Sequence, residues 1–401
     1  MLFSLNSYSQ YSWTQKSNFT GAARDYAAGF TIGHYGFVGA GNNGASIFYN
    51  DFYEWDQNTN TWSSIAPYPG AGYHYSPIGF SIEGVGYIGL GWTGSNAAND
   101  LWAYDFVNNS WKQMASLPGT GRYDASVFVV GHKAYIVGGS IGGPPYLQDV
   151  WMYDAHTNTW TQMNNSPAGR TDDGVAFTIG NHGYVGGGKD ELGPYAYNAF
   201  WEYDTTSDSW SSIAPFPILY SPTGNSRAFV IGDTAFVCTG TTNNSDPATF
   251  PTGYCYDTVS KAWSPFTNMG ANGIERGYTV AFTIGNFGYI CTGMDSVGNI
   301  LNDLWQWGPV ITGANQLNTG VRVAIYPNPC KGLLNFAYSG NIQCGEIQIT
   351  DLTGRIIDFR QINSSNGRMI IDENSLDNGM YFYKLLDSGK LLSSGKFIIS
   401  K

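Results

Sequence analysis

Six tryptophans, Trp13, Trp62, Trp111, Trp160, Trp210 and Trp263, follow one another at intervals of 49, 49, 49, 50 and 53 residues. Such self-similarity over most of a 401-residue chain marks a repeated supersecondary unit that cannot bury its apolar faces alone. Each unit reads in the same order. An apolar run such as "VAFTI" (175 to 179) leads to a Gly-x pair: Gly33-His34, Gly131-His132, Gly180-Asn181, Gly232-Asp233 or Gly285-Asn286. "GYVGGG" (183 to 188) or a close copy follows, then a variable loop. Next comes "AFWEYD" (199 to 204), echoed by "DFYEWD", "DLWAYD" and "DVWMYD", and a polar turn leads into the tryptophan.

This order describes four short antiparallel strands, A to D. The Gly-x pair suits a two-residue hairpin, where glycine takes positive φ without a steric penalty. The glycines ending strand B let backbones approach closely. The aromatics of strands C and D supply apolar area for packing between neighbouring sheets. Composition agrees: 52 glycines, 16% aromatic and only 12% charged residues favour strands and tight turns over helices.

The glycine doublet at Gly138-Gly139, with Tyr153 and Trp160 and their equivalents in each unit, resembles the Kelch repeat family over residues 11 to about 307. The resemblance implies an all-β fold, a six-bladed Kelch β-propeller. Strands A, B and C occur six times, but no D strand follows Trp307. "YSWTQ" (11 to 15) matches "NTWTQ" (158 to 162), so the N-terminal strand is expected to complete the last blade and close the ring.

The ends read differently. Residues 1 to 10, "MLFSLNSYSQ", resemble the remnant of a secretory signal peptide. Residues 309 to 321 read as a linker after a propeller spanning 11 to 308. In 322 to 401, alternating apolar residues and turns point to a small C-terminal β-sandwich. Its "YPNP", "DLTGR", "GMYFYKL" and "GKFIISK" resemble the type A sorting domain of the type IX secretion system of Bacteroidetes. The resemblance implies the type IX secretion machinery as a partner and an extracellular or outer-cell-surface location.

The net charge is −11, and the tail from residue 321 carries 9 basic and 7 acidic residues. The rest holds 10 of the 19 basic and 23 of the 30 acidic residues, a balance of −13. A nucleic acid is thus an unexpected partner. No apolar run is long enough for a transmembrane segment.

Arginine concentrates at one place in the repeat. Arg24, Arg122, Arg170 and Arg276 sit just before strand A, His74 stands there in blade 2, and Arg227 departs by lying inside its strand. If strand A is innermost, these side chains rim one mouth of the central channel, where they could hold a carboxylate or sulfate. The competing reading is structural: Asp51, Asp100, Asp149 and Asp303 begin strand C on the same side, and Arg–carboxylate pairs would lock the blades.

The long B–C loops emerge on that face with Trp92, Tyr146, Tyr195 and Tyr197, and the D–A connections add Tyr68. Flat aromatics on a rigid scaffold suit an extracellular glycan or protein ligand. The leading expectation is a secreted binding module. The alternative is a sugar-modifying enzyme of the sialic acid mutarotase type, with Arg122, Arg170 and Arg276 gripping a carboxylate and Glu275 or Asp173 as general base. That analogy is one of fold alone. Neither a metal site nor a cofactor is expected, since the histidines are scattered and no phosphate-binding loop occurs. Cys238 with Cys255, and Cys330 with Cys344, are open possibilities for disulfides.

Overall fold

The computed structural model describes residues 11–44, 47–70, 75–143, 146–168, 173–188, 198–217, 225–243, 246–249, 253–266, 276–309, 321–330, 333–362, 364–372 and 376–400. Six four-stranded antiparallel sheets form a six-bladed β-propeller. Blade 1 runs Ala28–Ile32, Tyr35–Gly39, Phe52–Asp56 and Thr61–Ile65, from strand A to strand D. The same meander recurs in the next four blades. Blade 6 takes A, B and C from Val280–Ile284, Phe287–Cys291 and Leu304–Pro309. Its D strand is Tyr11–Gln15, paired antiparallel so that Trp13 faces Trp307. The expected closure is therefore present, and it removes the open edges a linear stack would leave. The signal-like segment 1 to 10 lies outside the described residues.

The period-2 burial of strand A, with Phe30 and Ile32 buried and Gly29 and Thr31 partly exposed, follows from one face meeting the next blade. Phe30 contacts Tyr104 and Trp111 of blade 2. The repeat tryptophans latch neighbours as well. Nε1 of Trp62, Trp111, Trp160 and Trp263 donates to backbone oxygens of Ser17, Ala66, Ala115 and Ala214, each at the end of the preceding blade. The C–D turns reinforce this: Asn109 and Asn158, both at positive φ, accept from the N–H groups of Ala66 and Ala115.

The tail is a β-sandwich. Its three-stranded sheet holds Arg322–Tyr326, Leu333–Ser339 and Asn366–Asp372. The four-stranded sheet runs Ile356–Ile362, Gly345–Thr350, Gly379–Asp387, Lys390–Ile399 in spatial order. Phe336, Ile347, Leu385 and Phe397 fill the space between them.

The outer face of the three-stranded sheet docks on the A–B turns of blades 1 and 2. Ala324, Tyr326 and Ala337 share one buried cluster with Ile32, Tyr35 and Phe106. Arg322 pairs with the buried Glu54 and lies 4.3 Å from the centre of the Phe106 ring. The Val323 N–H donates to the Tyr35 hydroxyl at 3.3 Å. Blade 2 departs from the Gly-x turn here: Glu83 and Gly84 both take positive φ, and Gly84 packs flat against the Tyr326 ring. Among the described residues no helix is long and apolar enough to cross a membrane.

Five free thiols are present. Cys238 and Cys255 stay unbridged because Cys255 sits opposite Phe236 in the ladder, two residues along from Cys238. Cys330, buried, and Cys344, exposed, are likewise free thiols.

Candidate functional site

One residue just ahead of strand A in every blade takes a left-handed conformation: Tyr26, Ser76, Asp124, Asp173, Asn225 and Tyr278, with φ between 50° and 59°. Their backbones form a collar around the axis. The N–H of Tyr26 donates to Tyr278, Ser76 to Tyr26, Asp124 to Ser76, Asp173 to Asp124 and Asn225 to Asp173, at 3.0–3.4 Å. Asp and Asn tolerate this conformation, but Tyr and Ser are unusual there. The inter-blade bonds compensate for the strain. Below the collar the channel holds a cavity of about 180 Å³, lined by three successive residues of each innermost strand, from Ala27–Gly29 to Thr279–Ala281.

Side chains of neighbouring collar residues meet one another. Ser76 donates to Asp124, and the Tyr26 and Tyr278 rings lie 4.3 Å apart. Burial, with the Asp173 carboxylate and Tyr278 nearby, pushes the Tyr26 phenol far above its ordinary range. Burial also raises Asp25, 2% exposed, to about 7, against opposing backbone hydrogen bonds.

Of the expected site residues, Arg24, Arg122 and Arg276 are each fully buried. Arg24 binds Asp51 through both terminal nitrogens at 2.7 and 3.1 Å, and Arg122 binds Asp149 at 2.7 and 2.9 Å. Arg276 binds Asp303 the same way. Each also donates Nη1 to a backbone oxygen, of Ala40, Gly138 or Thr292. Trp151 and Trp305 add indole donors to Asp149 and Asp303 at 2.7 and 2.6 Å. Desolvation raises these two carboxyls, but the arginine and indole bonds outweigh it and hold both below the usual range. The expectation that Arg24, Arg122 and Arg276 grip a ligand is therefore corrected: they tie the start of strand A to the start of strand C, with no exposed surface. In blade 2, which lacks the arginine, Asp100 instead accepts from Tyr68 and Trp102. Tyr68 is 1% exposed and belongs to the core, not to a binding surface.

Asp173 is in the collar, 3% exposed. Trp92 and Tyr146 are half-buried on the long-loop face. Trp92 bridges to Tyr75 through the backbone and packs 5.4 Å from Tyr123. His74, Arg170, Glu275, Tyr195 and Tyr197 lie outside the described residues.

The structure adds aromatics the repeat pattern did not single out. Tyr278, Tyr26, Tyr75, Tyr123 and Trp92 run around the mouth with successive ring distances of 4.3, 5.2, 5.5 and 5.4 Å. A signal existed: a tyrosine stands one or two residues after Arg24, Arg122 and Arg276. The turn-face histidines are separate from all this. His34 and His132 face Asp56 and Asp154 at 3.5 Å. No group of three metal-binding side chains occurs among the described residues.

A family model described as the KLHDC2/KLHL20/DRC7 Kelch-repeats domain matches residues 85–240. One described as a secretion system C-terminal sorting domain matches residues 324–400. A solved structure titled "Structure of YjhT" superposes with a TM-score of 0.60 at 17% identity, covering 71% of this chain and 95% of that chain. At that identity the likeness is one of fold. No curated protein matches. The chain thus contains a Kelch-repeat domain at residues 85–240, set within its six-bladed β-propeller. It carries a type IX sorting domain, which implies handling by the type IX secretion machinery and export to the cell surface or beyond.

Proposed function

We propose that the propeller is a binding module for an extracellular glycan or protein ligand, engaged through its long-loop face. The observation that carries this reading is the aromatic arc. Tyr26, Tyr75, Tyr123 and Trp92 are half-buried, leaving ring surface at a mouth held rigid by the collar bonds. Rigid, partly exposed aromatics supply apolar contact at low entropic cost, and their polar tips orient the partner. The docked tail sits on the opposite, turn-bearing face and leaves the arc uncovered. The sugar-modifying alternative is disfavoured, because Arg122 and Arg276 are engaged with Asp149 and Asp303.

The test is a screen of the full chain against arrayed glycans and extracellular proteins, repeated with Trp92→Ala, Tyr75→Ala and Tyr123→Ala. Loss of the captured ligand in these variants, with melting temperature retained, supports the reading. Undiminished capture by all three excludes the long-loop face.

A further inference from the structure

Blade 2 carries on its long-loop side a pocket of about 520 Å³ that shares no residue with the channel cavity or the aromatic arc. Its walls come from three places. Pro69 belongs to the connection from blade 1, residues 93 to 100 are the B–C loop of blade 2, and Trp102 and Gln113 lie on strands C (Leu101–Asp105) and D (Ser110–Gln113). Trp102 and Gln113 stand opposite each other in the ladder.

The connection into blade 2 departs from its neighbours at this place. In blades 1 and 3 a glycine seats against the ring at the second position of strand C. A Cβ on Gly21 would fall 2.8 Å from Tyr53, and one on Gly119 would fall 2.8 Å from the Trp151 indole. Pro69-Gly70 matches Pro118-Gly119, but the nearest ring to Gly70 is that of Tyr68, 2.4 Å from a Cβ there. The Tyr68 hydroxyl donates to Asp100 Oδ2, and the same oxygen takes the Trp102 indole proton at 2.8 Å. The indole is thereby held in one orientation, while Trp102 stays half-buried and lines the pocket.

The loop wall is fixed as well. The Thr93 N–H donates to the Asn96 oxygen at 2.9 Å, Ala98 N–H to Gly91 at 2.8 Å, and Leu117 N–H to Asn99 at 2.8 Å. Preset walls lower the entropic cost of binding. Thr93, Ser95, Asn96, Asn99 and Gln113 line the pocket, and their hydroxyls and amides both donate and accept. Gln113 is exposed, and its amide makes no hydrogen bond among the described residues. Asp100 is the one charged residue of the lining.

We infer that this pocket binds a neutral sugar unit of a glycan. A sugar ring carries hydroxyls at its rim, which match amides and hydroxyls, and C–H groups on its faces, which match an indole. The volume falls within the range of about 300–1,000 Å³ usual for small-molecule sites. An acidic sugar is disfavoured, because no lining residue is cationic and the Asp100 carboxylate repels an anion. A purely apolar ligand would leave the amides unpaired.

The full chain is titrated calorimetrically with neutral oligosaccharides of glucose, galactose, mannose and xylose, and with oligogalacturonate as the acidic ligand. Saturable binding of at least one neutral series is expected. It should weaken at least tenfold in Trp102→Ala and severalfold in Gln113→Ala, and stay unchanged in Lys112→Ala, an exposed neighbour outside the lining. Gln113 is exposed, so its variant decides the matter should Trp102→Ala unfold. Absence of saturation with every neutral series, binding insensitive to both pocket substitutions, or tighter binding of oligogalacturonate would each overturn the inference. So would sugar affinity lost in Tyr123→Ala but kept in both pocket variants, which would assign the ligand to the arc. Failure of the pocket variants leaves the capture test of the arc standing, since the two sets of residues do not overlap.

Discussion

Trp13 stands directly opposite Trp307 in the closing sheet, with ring centroids 5.4 Å apart. The first strand of the chain thereby joins its last blade and seals the ring. Trp13 also makes an edge contact with Phe229 of blade 5, at 6.1 Å. Replacing Trp13 by Ala is expected to cost about 2–4 kcal/mol, somewhat less than a fully buried tryptophan, since its ring is partly exposed. Urea unfolding followed by fluorescence measures this. Deleting residues 11–15 is expected to unfold the propeller or make it associate through the unpaired edge, and an unchanged midpoint would contradict the seam.

The arginine latches make a second prediction. Arg122→Ala leaves Asp149 without its guanidinium and is expected to cost about 3–5 kcal/mol, because removing one partner strands the other. Arg122→Lys keeps the charge but loses the two-pronged geometry, so it should recover only part of the loss. Thermal unfolding of the two variants should rank them in that order; equal stability of all three proteins would mean the pair is dispensable.

Stability should fall at both ends of the pH scale, from different groups. Asp149 and Asp303 sit below the usual carboxylate range, so their contribution is present above about pH 4 and disappears as pH drops through their folded values. Glu54 is raised to about 7, first by burial and then by Asp56, against the opposing pull of Arg322. Its contribution is complete below its unfolded value of about 4.5 and is lost as pH rises through about 7. Asp25 acts in the same direction. The melting temperature is therefore expected to be higher at pH 5 than at pH 8. Glu54→Gln should flatten this slope while Arg322 stays in place. A steeper slope in that variant would reverse the sign argued here.

Docking of the tail depends on the turn of blade 2. A Cβ built on Gly84 falls 1.8 Å from the Tyr326 ring, and the residue holds φ +76°. Gly84→Val should lift the tail from the propeller, at a cost of several kcal/mol to docking, while each domain retains its own core. Hydrogen exchange reads this as loss of protection at the Val323 N–H, which donates to Tyr35. Gly131, whose Cβ would meet nothing, is the matched control on another blade.

Much of the fold was legible in local pattern. The tryptophan interval, the Gly-x turns and the missing final strand D specified six blades and their closure, since strand alternation and turn chemistry are properties of neighbouring residues. The site was less legible. Arg24 and Arg122 stand at repeat positions that suit either a rim or a latch, and only their partners 27 residues downstream decide between them. Tyr26 and Tyr75 look like ordinary strand-entry residues until the collar turns them to one side.

By itself, then, the chain's order of residues determined the repeat unit, the blade number and the identity of the tail, because each is written in short stretches. Three matters depended on the tertiary structure: the burial of the arginines, the collar of backbone bonds around the channel mouth, and the docking of Tyr326 on Gly84. Each arises where residues far apart in the chain meet, and desolvation and pairing energies there depend on the neighbours the fold supplies.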